Sequence, residues 1–241
     1  MKITTYDIKA NIEKGIKAVF VSDLHGFPNK KIIEEIKNQA PDIVLIPGDF
    51  IHNNENYREG IEFLRLSAQI CPTYCSIGNH ELRYEGDISA LIKETDAILL
   101  DNSYADFMGL KIGGLTSGFA YGGVQGKFEK TPEPRLEFLK KFDSLDGFKI
   151  LLSHHPEYYP IYIRATGIDM ILSGHAHGGQ WRLFGKGFFA PGQGIFPKYT
   201  SGMYEGRFIV SRGLGNPHFI PRINNKPEFI IININKEEKK K

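Results

Sequence analysis

Residues 16–26 read IKAVFVSDLHG, an apolar run without a breaker that ends in an aspartate, a histidine and a glycine. Its β-branched and aromatic residues mark a buried strand over residues 16–23. The segments on its carboxyl side decide the fold. Residues 28–40, PNKKIIEEIKNQA, put Pro28 at a helix start and Ile32, Ile33 and Ile36 on one face. A second apolar run, DIVLIPGD, covers 42–49; helical spacing returns in YREGIEFLRLSA, 57–68, despite Gly60; and TYCSIGNH, 73–80, is the third strand. GDISALIKETDA comes next, with Asp87 as N-cap. Strand, helix, strand, helix, strand predicts an α/β chain with a parallel sheet and helices packed on it.

Beyond residue 97 the rhythm changes. AILLDNSYADFMGLKIGGLTSG predicts two strands joined near Met108 and Gly109. TPEPRLEFLKKF, 131–142, predicts a helix capped by Thr131 with Pro132 just inside. FKILLSHHP and IDMILSGHAHGG read as further buried strands, and RFIVSRG and PEFIIININ as the last two. Between them, residues 178–206 form a Gly-rich, aromatic connection whose rings can stack on a base, meet a lipid tail or cover the core. Residues 119–126, FAYGGVQG, are a candidate second lip for a site.

The 241 residues, 41% of them apolar, suffice for one core, so a single domain over 1–241 is expected. The net charge of +2 equals that of the tail KEEKKK, 236–241, expected to fray. The neutral body argues against a dedicated nucleic-acid surface. No run is long enough to span a membrane. The start has no secretion-signal core, so a cytoplasmic location is expected, with Cys71 and Cys75 reduced.

The strand ends share one property. They deliver Asp23 and His25; Asp49; Asn79, His80 and Glu81; His154 and His155; and His175 and His177. Ligands of open α/β sheets collect at the carboxyl ends of strands. Residues two apart on an extended chain face the same way, so Asp23 with His25, and His175 with His177, can aim at one spot. Asp23, His25, Asp49, Asn79, His154, His175 and His177 are seven oxygen or nitrogen donors with no thiolate. That is too many for one tetrahedral ion and suits two ions, divalent or trivalent, of Mn, Fe or Zn. Paired metals generate hydroxide at neutral pH and clamp a phosphoryl oxygen.

The order DLH, GDF, GNHE, SHHP and GHAH resembles the signature of the calcineurin-like metallophosphoesterases. GHAHGGQ, KYTSGMY and SRGLGNPHFIPR look more specifically like a bacterial branch of small phosphodiesterases. The resemblance implies two packed mixed β-sheets flanked by helices, a four-layer α-β-β-α sandwich. It implies one metal on Asp23, His25 and His177, the other on Asn79, His154 and His175, with Asp49 bridging. It also implies hydrolysis of a small-molecule phosphate ester, most readily a diester, by metal-bridging hydroxide, with His80 assisting the leaving group. The alternatives are a nucleotide-sugar lipid pyrophosphatase of the same family and a non-catalytic scaffold. Two departures stand out. His52 occupies the position where many members carry an Asp that steadies the catalytic histidine, and GNHE replaces GNHD, making Glu81 a candidate supporting carboxylate. Arg182, Lys198 and Arg212 are candidate phosphate partners.

Overall fold

The computed structural model describes residues 1–241 apart from 28, 53, 55, 119–131, 192, 217–220 and 238–241. The amino-terminal part runs β1 (Lys2–Ala10), β2 (Ile16–Phe20), α1 (Lys30–Gln39), β3 (Ile43–Ile46), α2 (Tyr57–Ala68), β4 (Thr73–Cys75), α3 (Ile88–Lys93) and β5 (Ile98–Leu99). The middle supplies β6 (Ser103–Phe107), β7 (Leu110–Leu115), α4 (Leu136–Asp143), β8 (Phe148–Ser153) and β9 (Met170–Ser173). Four two-residue strands come after them: β10 (Arg182–Leu183), β11 (Lys186–Gly187), β12 (Phe189–Ala190) and β13 (Gly194–Ile195). The chain then adds β14 (Gly202–Tyr204), β15 (Phe208–Val210) and β16 (Glu228–Lys236).

Twelve of these strands build two six-stranded mixed sheets, ordered β1-β16-β2-β3-β4-β5 and β14-β15-β9-β8-β7-β6. β2 to β5 run parallel, as do β7, β8, β9 and β15. Three apolar clusters hold the layers together. The inner one joins Ala18, Phe20, Leu45 and Ile232 of the first sheet to Ile112, Leu152 and Leu172 of the second. Alternate residues of the first sheet, Val19, Val44 and Cys75, turn outward onto Ile36 of α1 and Leu64 of α2. Leu151 and Ile171 do the same for the second sheet against Phe138 and Phe142 of α4. The result is the expected four-layer sandwich.

The helical periods hold where they were clearest. Ile32, Ile33 and Ile36 are the buried face of α1, and the Asp87 side chain caps α3 by accepting from the amide of Ala90. Gly60 sits inside α2 because a Cβ there would strike the carbonyl oxygen of Phe50 and approach Ile51 Cγ2 to 2.8 Å. α4 begins at Leu136, later than expected: Pro134 disfavours helical backbone before it. Thr131 and the candidate lip at 119–126 lie outside the described residues. The third strand stops at Cys75, and the chain leaves the ladder for the site. β1, an unanticipated strand, lies parallel to β16 along Lys2↔Glu228 to Ala10↔Lys236. The last strand therefore takes in Lys236, the first residue of the expected tail. Among the described residues no helix is long and apolar enough to cross a membrane.

Candidate metal centre

The strands stop one to four residues short of the ligand-type side chains: Phe20 before Asp23, Ile46 before Asp49, Cys75 before Asn79, Ser153 before His154 and Ser173 before His175. Backbone bonding carries the order onward. Asp23 N donates to Gly48 O (3.3 Å), His25 N to Asp49 O (3.0 Å) and Gly174 N to His154 O (3.1 Å). The extended-chain argument for paired side chains does not hold. Asp23 (φ 52°), His25 (51°), Asp49 (54°), His175 (64°) and His177 (45°) all sit in the left-handed region. Each such residue costs about 1 kcal/mol or more, with Asp and His among the types that enter the region most readily. Left-handed turns, rather than strand alternation, aim these groups.

Six of the seven expected donors fall into two buried groups. Asp23, His25 and His177 offer ligand atoms within 4.8 Å of one another, as do Asp49, His154 and His175. His25 Nε2 and His177 Nε2 are 3.1 Å apart. Asp49 stands between the groups: its Oδ2 is 3.1 Å from His154 Nε2 and 3.9 Å from both His25 Nε2 and His80 Nε2. Asp23 Oδ1 reaches His177 Nε2 at 3.6 Å and His154 Nε2 at 4.0 Å. Asn79 is buried between Gly78, whose bare Cα packs on Asp49, and His80, whose amide donates to Asp49 Oδ1 at 2.9 Å. Local bonds set the orientations. His154 Nδ1 faces Pro47 O at 3.0 Å, Ser22 Oγ donates to Asp23 Oδ2 at 2.6 Å, and His175 N donates to Asp23 Oδ1 at 2.9 Å.

Burial dominates the electrostatics and the charged neighbours then divide the groups. Burial and the Asp49 carboxylate raise Asp23, whereas His154, His80 and His25 overcome burial and hold Asp49 well below the ordinary carboxylate range. Burial drives His25 and His175 well below the usual histidine value, so both are neutral and keep a lone pair. His154 resists burial and rises to about 9 because Asp49 and Asp23 face it. The donor set fits a pair of cations. The buried Oδ1 of Asn79 and Nε2 of His175 have no hydrogen-bond partner among the described residues. A buried acceptor left so costs about 1–3 kcal/mol, and a cation held by oxygen and neutral imidazole removes that cost.

His80 lies at the edge. Its ring is 4.5 Å from that of His25 and stacks on His52 at 5.0 Å and 26°. Nδ1 contacts the backbone carbonyl of His52, and Nε2 faces Arg83 Nη1 at 3.3 Å. The residue replacing the usual steadying carboxylate thus contributes its main chain instead. Glu81 supports the floor. Its Oε2 accepts from Asp49 N and Gly78 N at 2.8 Å, and its Oε1 from Ile51 N at 3.0 Å. Burial and Asp49 push Glu81 up, but amide donors on both oxygens are the arrangement of a carboxylate, the form we assign.

Two neighbours, buried Glu157 and half-buried Arg222, escaped the sequence reading. Glu157 Oε1 lies 3.7 Å from His175 Nε2, and Arg222 Nη2 lies 3.2 Å from His177 Nδ1. The acid two residues beyond the SHHP pair was the available signal for Glu157; Arg222 closes the segment SRGLGNPHFIPR, but 45 positions separate it from its partner and nothing in the spacing pairs the two. Of the suggested phosphate partners, Arg182 donates to Gly178 O at 2.7 Å and Arg212 faces Glu228 at 3.8 Å, while Lys198 is exposed with its ammonium over the Tyr199 ring.

Residues 16–179, which span every one of these ligand-type residues, match the calcineurin-like phosphoesterase family. The chain belongs to that family. A metallophosphoesterase of Campylobacter jejuni is 29% identical over 238 residues, covering 93% of this chain and 60% of the relative. A Helicobacter pylori metallophosphoesterase is 30% identical over 70% of this chain and 46% of its own length. The chain thus spans about half to three fifths of these two relatives. Phosphodiesterase YaeI of Escherichia coli is 27% identical, covering 90% of this chain and 82% of that protein. Among solved structures, the phosphopantetheinyl hydrolase of Mycobacterium tuberculosis superposes with a TM-score of 0.52 at 14% identity, covering 87% and 90% of the two chains. A dimetal phosphatase of Danio rerio gives 0.52 at 10% identity, covering 83% and 88%. At such identities these two speak for the family's fold alone.

Proposed function

We propose that this chain is a metal-dependent phosphohydrolase acting on small-molecule phosphate esters, diesters before monoesters, through two metal ions. The observation that carries the reading is Asp49 Oδ2, within 3.9 Å of His25, His80 and His154 at the meeting point of two buried donor clusters. Asp23, His25 and His177 would hold one ion and Asn79, His154 and His175 the other, with Asp49 placed to serve both. When bound, such a pair supplies hydroxide at neutral pH and a Lewis-acid clamp on phosphoryl oxygen. The protein's own groups do the rest. His80, tied through Nδ1 to the carbonyl of His52, presents Nε2 to the departing alcohol oxygen, where it donates a proton or stabilises charge. Arg83 beside it adds a fixed cation for the phosphate. The preference for diesters is supported by the relationship to a phosphodiesterase across 90% of the chain. A non-catalytic scaffold has no use for so complete a buried ligand set.

The test is turnover of bis-(p-nitrophenyl) phosphate and p-nitrophenyl phosphate before and after chelation, with Mn, Fe or Zn restored singly. The diester should be the better substrate, and chelation should abolish its cleavage; activity that survives chelation removes the proposal. His80→Ala should retain metal by elemental analysis and lose about a hundredfold or more in rate. Asp49→Asn should lower the content of both metals, and loss of only one would contradict its bridging place.

A further inference from the structure

Seven of the fifteen large apolar side chains exposed among the described residues fall between Trp181 and Phe196. They do not lie in a loose loop. β10 pairs with β11, and β12 with β13, as two small antiparallel ladders. Phe188 N donates to Trp181 O at 2.8 Å, and Phe196 N to Phe188 O at 2.8 Å. The Trp181 and Phe188 rings stack at 5.9 Å, and Phe196 meets Phe188 edge-on at 5.4 Å. Tyr199 of the same segment is buried, so the chain has separated a packed base from an exposed tip.

The tip is costly to the fold. The register Leu183↔Lys186 leaves Phe184 and Gly185 as a two-residue turn with φ values of 50° and 79°. Such turns favour Asn-Gly or Gly-Gly, because both central residues take positive φ. A phenylalanine there is strained, and Phe184 is 94% exposed. Phe196 repeats the pattern at φ 52° and 75% exposure, flanked by Ile195 at 63%. Backbone strain combined with exposed apolar area gains nothing for an isolated molecule in water.

Charge identifies the occupant. Residues 178–204 contain Arg182, Lys186 and Lys198 and neither Asp nor Glu, although the whole chain is nearly balanced at +2. Lys186 and Lys198 are exposed beside the two phenylalanine tips, and Arg182 is spent on the carbonyls of Gly178 and Gly185. Apolar tips each with a lysine two residues away match an anionic bilayer surface, where rings enter the acyl boundary and ammonium groups stay among the headgroups. A second copy of this face would set cation against cation. We propose that residues 181–191 and 193–198 form a docking surface for an anionic lipid bilayer, with Phe184 and Phe196 inserted. The surface shares a turn with the candidate metal centre, because Gly179, two residues after His177, accepts from Phe188 N and packs on Gly187. The inference does not rest on the catalytic reading and can fail without it.

Trp181 is the only tryptophan, so its fluorescence reports this surface directly. The full chain is mixed with vesicles of phosphatidylcholine alone or with equal phosphatidylglycerol. Co-sedimentation and a blue shift of Trp181 emission are expected with the anionic vesicles, and much less of either with the neutral ones. The double variant Phe184→Ser/Phe196→Ser should partition at least about tenfold more weakly, with unchanged cleavage of the soluble diester. Lys186→Glu/Lys198→Glu, which leaves both turns intact, should also weaken binding to anionic vesicles. The proposal is overturned if the wild type stays in the supernatant with unshifted emission, or if either double variant binds as the wild type does. It is equally overturned if sedimentation velocity shows that the aromatic face pairs copies of the chain.

Discussion

Glu81 illustrates how much a single side chain settles. It accepts from the amides of Asp49, Gly78 and Ile51, so one carboxylate fastens the loop carrying Asp49 to the loop carrying Asn79 and His80. Glu81→Gln keeps the shape but turns an NH2 donor against amide donors. The expected result is a loss of about 2 kcal/mol or more in urea unfolding, together with weaker metal retention. Unchanged stability would mean that the three amides find other partners. At this scale the sequence named the ligand types, since Asp, Asn and His before or after glycine are readable as letters. It did not show their backbone state. The left-handed φ of Asp23, Asp49 and His175 comes from neighbouring loops that force each turn, as where Gly48 and Gly78 approach backbone to backbone.

Among the elements, those with a strong period were legible. α1 and α2 each pair a clear apolar face with a strand before and after, and both lie where the spacing put them. β1 was missed although Thr4, Tyr6, Ile8 and Ala10 alternate inward, because half-buried polar residues weaken the signal of an edge strand. The α2–β4 layer also makes a testable claim about the thiols. Cys71 and Cys75 are free, and Cys75 is packed among Val44, Ile46 and the helices. Burial pushes Cys71 up to about 11 and Cys75 higher still. A raised thiol pKa leaves the neutral, unreactive form dominant at pH 8, so iodoacetamide should modify the folded chain about a hundredfold more slowly than the unfolded chain. Mass spectrometry after timed quenching measures this. Comparable rates would show that the layer opens readily.

For the molecule as a whole, the consequential fact is that the donors come from both sheets. Asp23, Asp49 and Asn79 lie beyond strands of the first, and His154, His175 and His177 beyond strands of the second. Metal bound as proposed would therefore join the two sheets, which among the described residues also share the inner apolar cluster and loop hydrogen bonds such as Leu214 N to Ser22 O. A ligand that binds only the folded state stabilises it, by about 2.7 kcal/mol at a hundred times its dissociation constant. Chelation should accordingly lower the Tm by several degrees in differential scanning calorimetry, and restoring metal should reverse it. A midpoint indifferent to chelator would mean that the folded chain holds no removable metal more tightly than the unfolded chain does.

The sequence by itself determined the alternation of strands and helices and the candidate donors, because periods and residue chemistry are local properties; the four-layer sandwich followed only from the family resemblance. Only the tertiary structure decided what those groups face. It set Asp49 between two clusters, lent the main chain of His52 to His80, brought Glu157 and Arg222 to the outer edges of His175 and His177, and turned Phe184 and Phe196 outward. Each of these depends on residues far apart in the chain or on the direction of a turn, and a one-dimensional pattern encodes neither until packing has fixed the loops.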